Sequence, residues 1–167
     1  MRKWLALAFL IPLIYSQAIP AWATTYNAPN PVYVSAYENS SALSDMVVAN
    51  TNNTYPPYLQ TVTVEWAGVT SSDSVSLIFY DVNLAQMSET SITSSGQTVN
   101  APANAWGVKI SLTTGSDPGK RYVWFSQVTT TFGDTTIFPA PDTSDAGSGG
   151  TTPPPSDDTT PPSDGST

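Results

Sequence analysis

The feature that most constrains this fold is a pair of alternating segments within residues 106–128. Apolar and polar side chains alternate over residues 108–112, the period of two that a half-buried β-strand shows. A second run follows at residues 120–128, where Tyr122, Trp124 and Val128 share one parity. The connection between the runs holds two glycines, an aspartate and a proline, which favour turns and interrupt strand pairing. The pattern predicts a β-hairpin at the centre of a small β domain.

Other segments repeat this short-strand pattern along the chain. The clearest covers residues 59–67, in which Val62, Val64 and Trp66 alternate with polar neighbours. Residues 75–82 are almost continuously apolar, as in a central strand or a strand with a bulge. Further candidate strands lie at residues 32–37, 46–49, 98–99 and 128–138. Six to eight short strands without a convincing helix predict an all-β fold, an antiparallel β-sandwich of Ig-like or jelly-roll-like type; a small β-barrel is the alternative.

The amino terminus carries the pattern of a secretory signal peptide. Two basic residues precede a short apolar run, and the run ends in the small-x-small sequence of residues 21–23. The apolar run is shorter than the roughly 20 residues that span a bilayer. We therefore expect residues 1–23 to be removed, residues 24–139 to form the sandwich domain, and the mature chain to have no membrane span.

Charge and composition exclude several classes of function. Arg2 and Lys3 are two of five basic residues and leave with the signal peptide, whereas all 13 acidic residues remain, so the net charge changes from −8 to −10. Such a surface repels nucleic acids and anionic membranes. The chain has neither cysteine nor histidine, which excludes disulfides, Cys- or His-ligated metals and Ser-His-Asp catalysis. We expect no cofactor and no metal.

Residues 140–167 differ sharply in composition from the rest of the chain. They are rich in Pro, Thr, Ser, Gly and Asp and contain no basic or large apolar residue. Such a segment has nothing with which to form a core, so we predict a disordered acidic tail or linker. Because a linker normally joins two parts, we expect the sequence to be a fragment of a longer chain; a surface spacer is the alternative.

Three tryptophans remain after the predicted cleavage. Exposed aromatic residues on a sheet face are a common surface for stacking on sugar rings, so Trp66, Trp106 and Trp124 are candidates for such contacts. Each shares parity with aliphatic neighbours on its own strand, however. We therefore interpret all three as core residues.

The segment Tyr55-Pro56-Pro57-Tyr58 is the candidate ligand-binding site. Two tyrosines around a proline pair in a polar loop are suited to contact a glycan or a partner protein. The alternative is that they fold over one end of the sandwich and close it.

A second apolar set takes the opposite parity on its strands: Ile78, Tyr80, Val123 and Phe125. If one face of those strands is uncovered, the set forms an exposed patch that marks a partner contact. If both faces are covered, the same residues are ordinary core. The sequence leaves these alternatives open.

Acidic side chains are the remaining candidates for catalysis and metal binding. Glu38, Glu65, Asp81 and Glu89 lie in or beside strands, but no motif brings two of them together as a glycosidase requires. In addition, three loop aspartates have neighbours that suit calcium, although capping of turns explains each of them. They are Asp73, Asp117 and Asp134.

The sequence therefore predicts a secreted or cell-envelope protein that is not an enzyme. We expect a β-sandwich that serves as a binding or structural module, with a glycan or a protein at the cell surface as its partner. The alternative is an assembly subunit of a surface or secretion apparatus, docking through a sheet face or an edge strand. A carboxylate-based glycoside hydrolase is the least favoured interpretation.

Overall fold

The computed structural model describes residues 25–49 and 57–148, which form eleven β-strands and no helix. The strands are β1 (Thr25–Asn27), β2 (Tyr33–Ala36), β3 (Ser41–Leu43), β4 (Val47–Val48), β5 (Leu59–Ala67), β6 (Ser74–Tyr80), β7 (Gln86–Ile92), β8 (Gln97–Asn100), β9 (Gly107–Thr113), β10 (Arg121–Thr130) and β11 (Thr135–Ile137). Accordingly, this part of the chain has no helix with the length and apolarity to cross a membrane. The predicted signal peptide lies outside the described residues.

The strands form two sheets that pack face to face, which confirms the predicted β-sandwich over a closed barrel. The first sheet has the order β1-β11-β10-β5-β8, and β2 pairs with the early part of β10. The second has the order β3-β9-β6-β7, and β4 also pairs with β9. Pairing is antiparallel throughout except between β1 and β11, which run parallel.

The interior is built from one side-chain parity of each central strand. On β5, Val62 and Val64 are 0% exposed, as are Leu77 and Phe79 of β6, which face them from the other sheet. The same alternation on β9 buries Val108, Ile110 and Leu112. Burying each large aliphatic or aromatic side chain contributes about 1.5–3 kcal/mol, so this layer is the main source of stability.

The predicted central hairpin of residues 106–128 is wrong, although both of its strands exist. Strand β9 pairs with β6 in the second sheet, and β10 pairs with β5 in the first. The connection at residues 114–120 therefore crosses from one sheet to the other. Because stacked sheets lie about 10 Å apart, a connection of this length spans the gap, and strand alternation alone does not distinguish it from a hairpin loop.

Strand β10 has apolar side chains on both faces of its first half. Val123 and Phe125 point into the core at 0% exposed, whereas Tyr122 and Trp124 lie on the outer face at 5% and 8% exposed. A β-bulge after Phe125 shifts the register against β5 and returns Val128 to the core. Grouping the two outer aromatics with Val128 on one core face was therefore wrong, because the extra residue switches the parity.

A C-terminal strap, residues 138–148, packs against the first sheet. It starts where the Phe138 N–H donates to the Ser126 carbonyl (3.0 Å) and reaches the Gly147 N–H, which donates to the Lys120 carbonyl (2.9 Å). The strap thus runs back along β10 from the bulge to the start of the strand.

The strap lies almost entirely within the segment that the sequence assigned to a disordered tail from Ala140 onward. Pro141 is buried, and the Asp145 side chain bonds to β10, so the packed part of the domain continues at least to Ser148. The composition concealed this because the strap is held by backbone and polar contacts more than by large apolar side chains.

Candidate functional site

The proposed tyrosine loop is described only in part. Tyr55 and Pro56 lie outside the described residues, whereas Pro57 is fully buried and Tyr58 is half-buried. The Tyr58 N–H donates to the Thr131 hydroxyl (3.2 Å), and its carbonyl accepts the Thr131 N–H (2.9 Å). These contacts fix the second half of the loop to the turn between β10 and β11.

The apolar set that the sequence left undecided is divided between the two sheets. Val123 and Phe125 belong to the core, whereas Ile78 and Tyr80 lie on the outer face of the second sheet, where Ile78 is 9% exposed and Tyr80 is half-buried. The four residues therefore do not form one patch.

The four candidate catalytic acids do not converge. Glu65 lies opposite Trp124 on the outer face of the first sheet, and Glu89 lies opposite Ile78 on the outer face of the second. Asp81 accepts the backbone N–H groups of Asn83 and Ala85 and caps its own turn. Glu38, in the turn after β2, accepts the N–H of Gly119. With Glu65 and Glu89 on opposite sides of the sandwich, these acids do not form a facing pair.

Arg121 and Asp73 form a buried ion pair at the end of the sandwich that holds the β5–β6 and β9–β10 loops. The Arg121 Nε lies 3.0 Å from the Asp73 carboxylate, and both side chains are 0% exposed. The guanidinium also donates to the backbone carbonyls of Gly119 and Asp117, the latter at 2.6 Å. The Asp73 contact ties the two loops to each other, and the two carbonyl contacts hold the β9–β10 loop around the guanidinium.

The Asp73 carboxylate is satisfied on both oxygens. It accepts the N–H groups of Thr70 (2.7 Å) and Gly115 (2.9 Å) as well as the Arg121 guanidinium. Burial alone would raise the pKa of Asp73, but these N–H donors and the guanidinium outweigh it and hold the pKa below 3.8.

The three aspartates considered for calcium are not a cluster. Asp73 is paired with a guanidinium, and Asp117 accepts the hydroxyls of Thr70 and Ser72, both at 2.8 Å. Those hydroxyls lower the pKa of Asp117. Asp134 lies apart from both, in the turn before β11. Across residues 25–49 and 57–148, no group of three acidic side chains could hold a metal ion.

A pocket of about 290 Å³ opens between the two sheets beside Trp66. Strand β8 begins only at Gln97, which pairs with Val64. Trp66 therefore has no β8 residue paired beside it, and it is only half-buried. Opposite the indole, Val75 and Ile92 pair with each other at the ends of β6 and β7 and form an apolar floor.

Hydroxyl groups surround this Trp66 pocket. Its lining includes five exposed residues that bear hydroxyls: Thr70, Ser71, Ser74, Ser91 and Thr93. The lining contains one charged residue, Asp73, whose charge is already paired with Arg121. The site therefore combines an aromatic wall, an apolar floor and a neutral polar rim, the usual make-up of a small-molecule site.

A polar latch holds the C-terminal strap on β10. The Tyr122 hydroxyl donates to Asp145 (2.6 Å), and the Lys120 ammonium lies 3.2 Å from the same carboxylate and 4.8 Å from the Tyr122 ring centroid. Burial and the bond to Asp145 raise the pKa of Tyr122. The bonds from Tyr122 and Lys120 lower the pKa of Asp145, and the same contacts raise that of Lys120.

Comparisons with protein families, curated proteins and solved structures found no match for this chain.

The Trp66 pocket is the feature that sequence reasoning missed, since parity placed this tryptophan in the core. The signal that points to it is the cluster of Ser and Thr residues at 70–74 and 91–95, which interrupts the apolar pattern on both sides of Val75 and Ile92.

Proposed function

We propose that this chain is an exported β-sandwich that acts as a binding or structural module of an extracellular or cell-envelope protein. The signal-peptide pattern supports export, and the acidic segment after the strap is suited to display the domain away from its point of attachment. No catalytic step is part of this proposal.

The observation that carries the proposal is the Trp66 pocket. Paired strands position a half-buried aromatic side chain in a pocket whose lining includes exposed serine and threonine residues. The tyrosine loop of Tyr55 and Tyr58 is a second contact in this proposal, and Tyr58 lies at the turn between β10 and β11.

The test is binding of the mature chain, residues 24–167, to washed envelopes of the producing organism. We expect the chain to sediment with the envelopes in a saturable way. The double variant Tyr55→Ala/Tyr58→Ala measures how much of this binding depends on the tyrosine loop. Sedimentation no greater than that of an unrelated β-sandwich of equal charge contradicts the proposal. Equal binding by the double variant removes the tyrosine loop from it.

A second candidate, an assembly subunit, is favoured by the outer face and edge of the second sheet. Leu43 and Val48 lie on that face at 56% and 38% exposed, and β7 is an edge strand with a partner on one side. Such a surface is suited to strand addition or sheet docking. Sedimentation velocity separates the candidates, because a binding module stays monomeric whereas an assembly subunit self-associates.

A further inference from the structure

We propose that the Trp66 pocket binds a neutral saccharide. This inference rests on the proposed function and adds to it a site and a ligand class.

The walls match the two kinds of surface that a sugar ring presents. The C–H face of a pyranose is apolar and packs on an indole, and the half-buried Trp66 supplies that indole beside the floor of Val75 and Ile92. Sugar hydroxyls need donors and acceptors at the edge of the ring. Serine and threonine hydroxyls supply both, and the exposed Ser71 and Thr93, just outside the paired strands, lie at the rim.

Charge selects a neutral ligand. The lining has no Lys or Arg, and the mature chain carries a net charge of −10, so an anionic ligand would be repelled. A cation would need a carboxylate with spare acceptor capacity. Asp73, the one acid in the lining, is held by Arg121 and by two backbone N–H groups.

Size and position select the end or the side of a sugar chain. A volume of about 290 Å³ is that of about ten liquid waters, which accommodates a single ring and part of its neighbour. The pocket lies beside the start of β8. The rest of an oligosaccharide is therefore able to extend over the Ser and Thr residues at 93–95, which precede that strand.

The experiment is an array of neutral oligosaccharides (β-glucans, xylans, mannans and chitin fragments) beside uronate-containing and sialylated ones, probed with the labelled mature chain. Wild type is expected to bind a subset of the neutral saccharides. Trp66→Ala should weaken that binding tenfold or more, Trp66→Phe should weaken it less, and Ser71→Ala should weaken it severalfold. Trp106→Phe is the matched control, since Trp106 contacts the far end of β6, and should bind as wild type.

Thermal unfolding of each variant shows whether it is folded. If Trp66→Ala is not folded, Trp66→Phe and Ser71→Ala decide the question alone. The inference is overturned if wild type binds no neutral saccharide, if it binds the anionic ones instead, or if the Trp66 and Ser71 variants bind as wild type. If the chain binds envelopes in a saturable way but gives any of these results, the proposed binding module stands and the proposed saccharide site is wrong.

Discussion

The buried ion pair gives the sharpest stability prediction. The change is Asp73→Asn, which keeps the size of the side chain but leaves the Arg121 guanidinium, 0% exposed, without its counter-charge. Breaking such a pair from one side costs about 3–5 kcal/mol, because an uncompensated charge remains in the interior. Domains of this kind are stable by only about 5–15 kcal/mol in total. The variant should therefore lose a large fraction of its free energy of unfolding.

The assay is urea unfolding at pH 7, followed by tryptophan fluorescence. The midpoint should fall while the slope against urea stays constant, since the change alters stability and not the surface exposed on unfolding. Asp145→Asn is the matched control, because it removes an acid from an ion pair whose Asp145 side chain is 51% exposed. A loss for Asp73→Asn no larger than for the control would refute the reasoning.

The same pair predicts how stability depends on pH. The folded state lowers the pKa of Asp73 below 3.8, so its contribution is complete above that pH and is lost as the pH falls through the lowered value. The difference in stability between wild type and Asp73→Asn should therefore narrow below about pH 4. A difference that stays constant down to pH 2 would contradict this assignment.

Three further changes test other parts of the fold. Gly115→Ala should cost about 1–3 kcal/mol in urea unfolding, because its Cβ would lie 2.6 Å from the Ser72 Cβ; an unchanged midpoint would show that the loops separate freely. Phe125→Ala should cost about 3–5 kcal/mol, since this ring is 0% exposed, and a smaller loss would contradict its core position. Because the folded state raises the pKa of Tyr122, this residue stabilises the fold below about pH 10, and that stabilisation is lost as the pH rises through the raised pKa. In Tyr122→Phe, stability should therefore fall less steeply at alkaline pH; an unchanged pH dependence would count against the latch.

The local pattern of the chain predicted the strands better than their arrangement. Strand β5 has the bounds that alternation predicts, residues 59–67, because one of its faces is buried along nearly its whole length. Strand β7 was not predicted, since it is an edge strand with mostly polar side chains and follows a turn at Leu84 with φ 64°. A strand with one buried face alternates apolar and polar residues with a period of two, whereas a mostly polar edge strand shows no such alternation in its sequence.

The arrangement depends on contacts that sequence distance conceals. The connection at residues 114–120 crosses between the sheets because β9 pairs with β6 and β10 with β5, and the ion pair of Arg121 with Asp73 ties its end to the β5–β6 loop. Nothing in the alternation of β9 or β10 specifies that partner. The bulge after Phe125 likewise depends on how β10 meets β5, so the parity of Trp124 was not available from its own strand.

The candidate site was less predictable than the fold. Trp66 was correctly placed on the inner side of β5, but its exposure depends on β8 beginning only at Gln97, a property of a different strand. For the tyrosine loop, the structure fixes Tyr58 through its two bonds to Thr131, and ligand binding by the loop stays a prediction.

The central claim is that this module makes its specific contact at the Trp66 pocket. The most direct measurement is a nitrogen-15 correlation spectrum of residues 24–167, in which the three indole N–H signals are followed while a neutral oligosaccharide retained on the array is added. The account predicts a saturable shift of the Trp66 indole signal, with those of Trp106 and Trp124 unchanged. A Trp66 signal that stays in place while another indole shifts would contradict it.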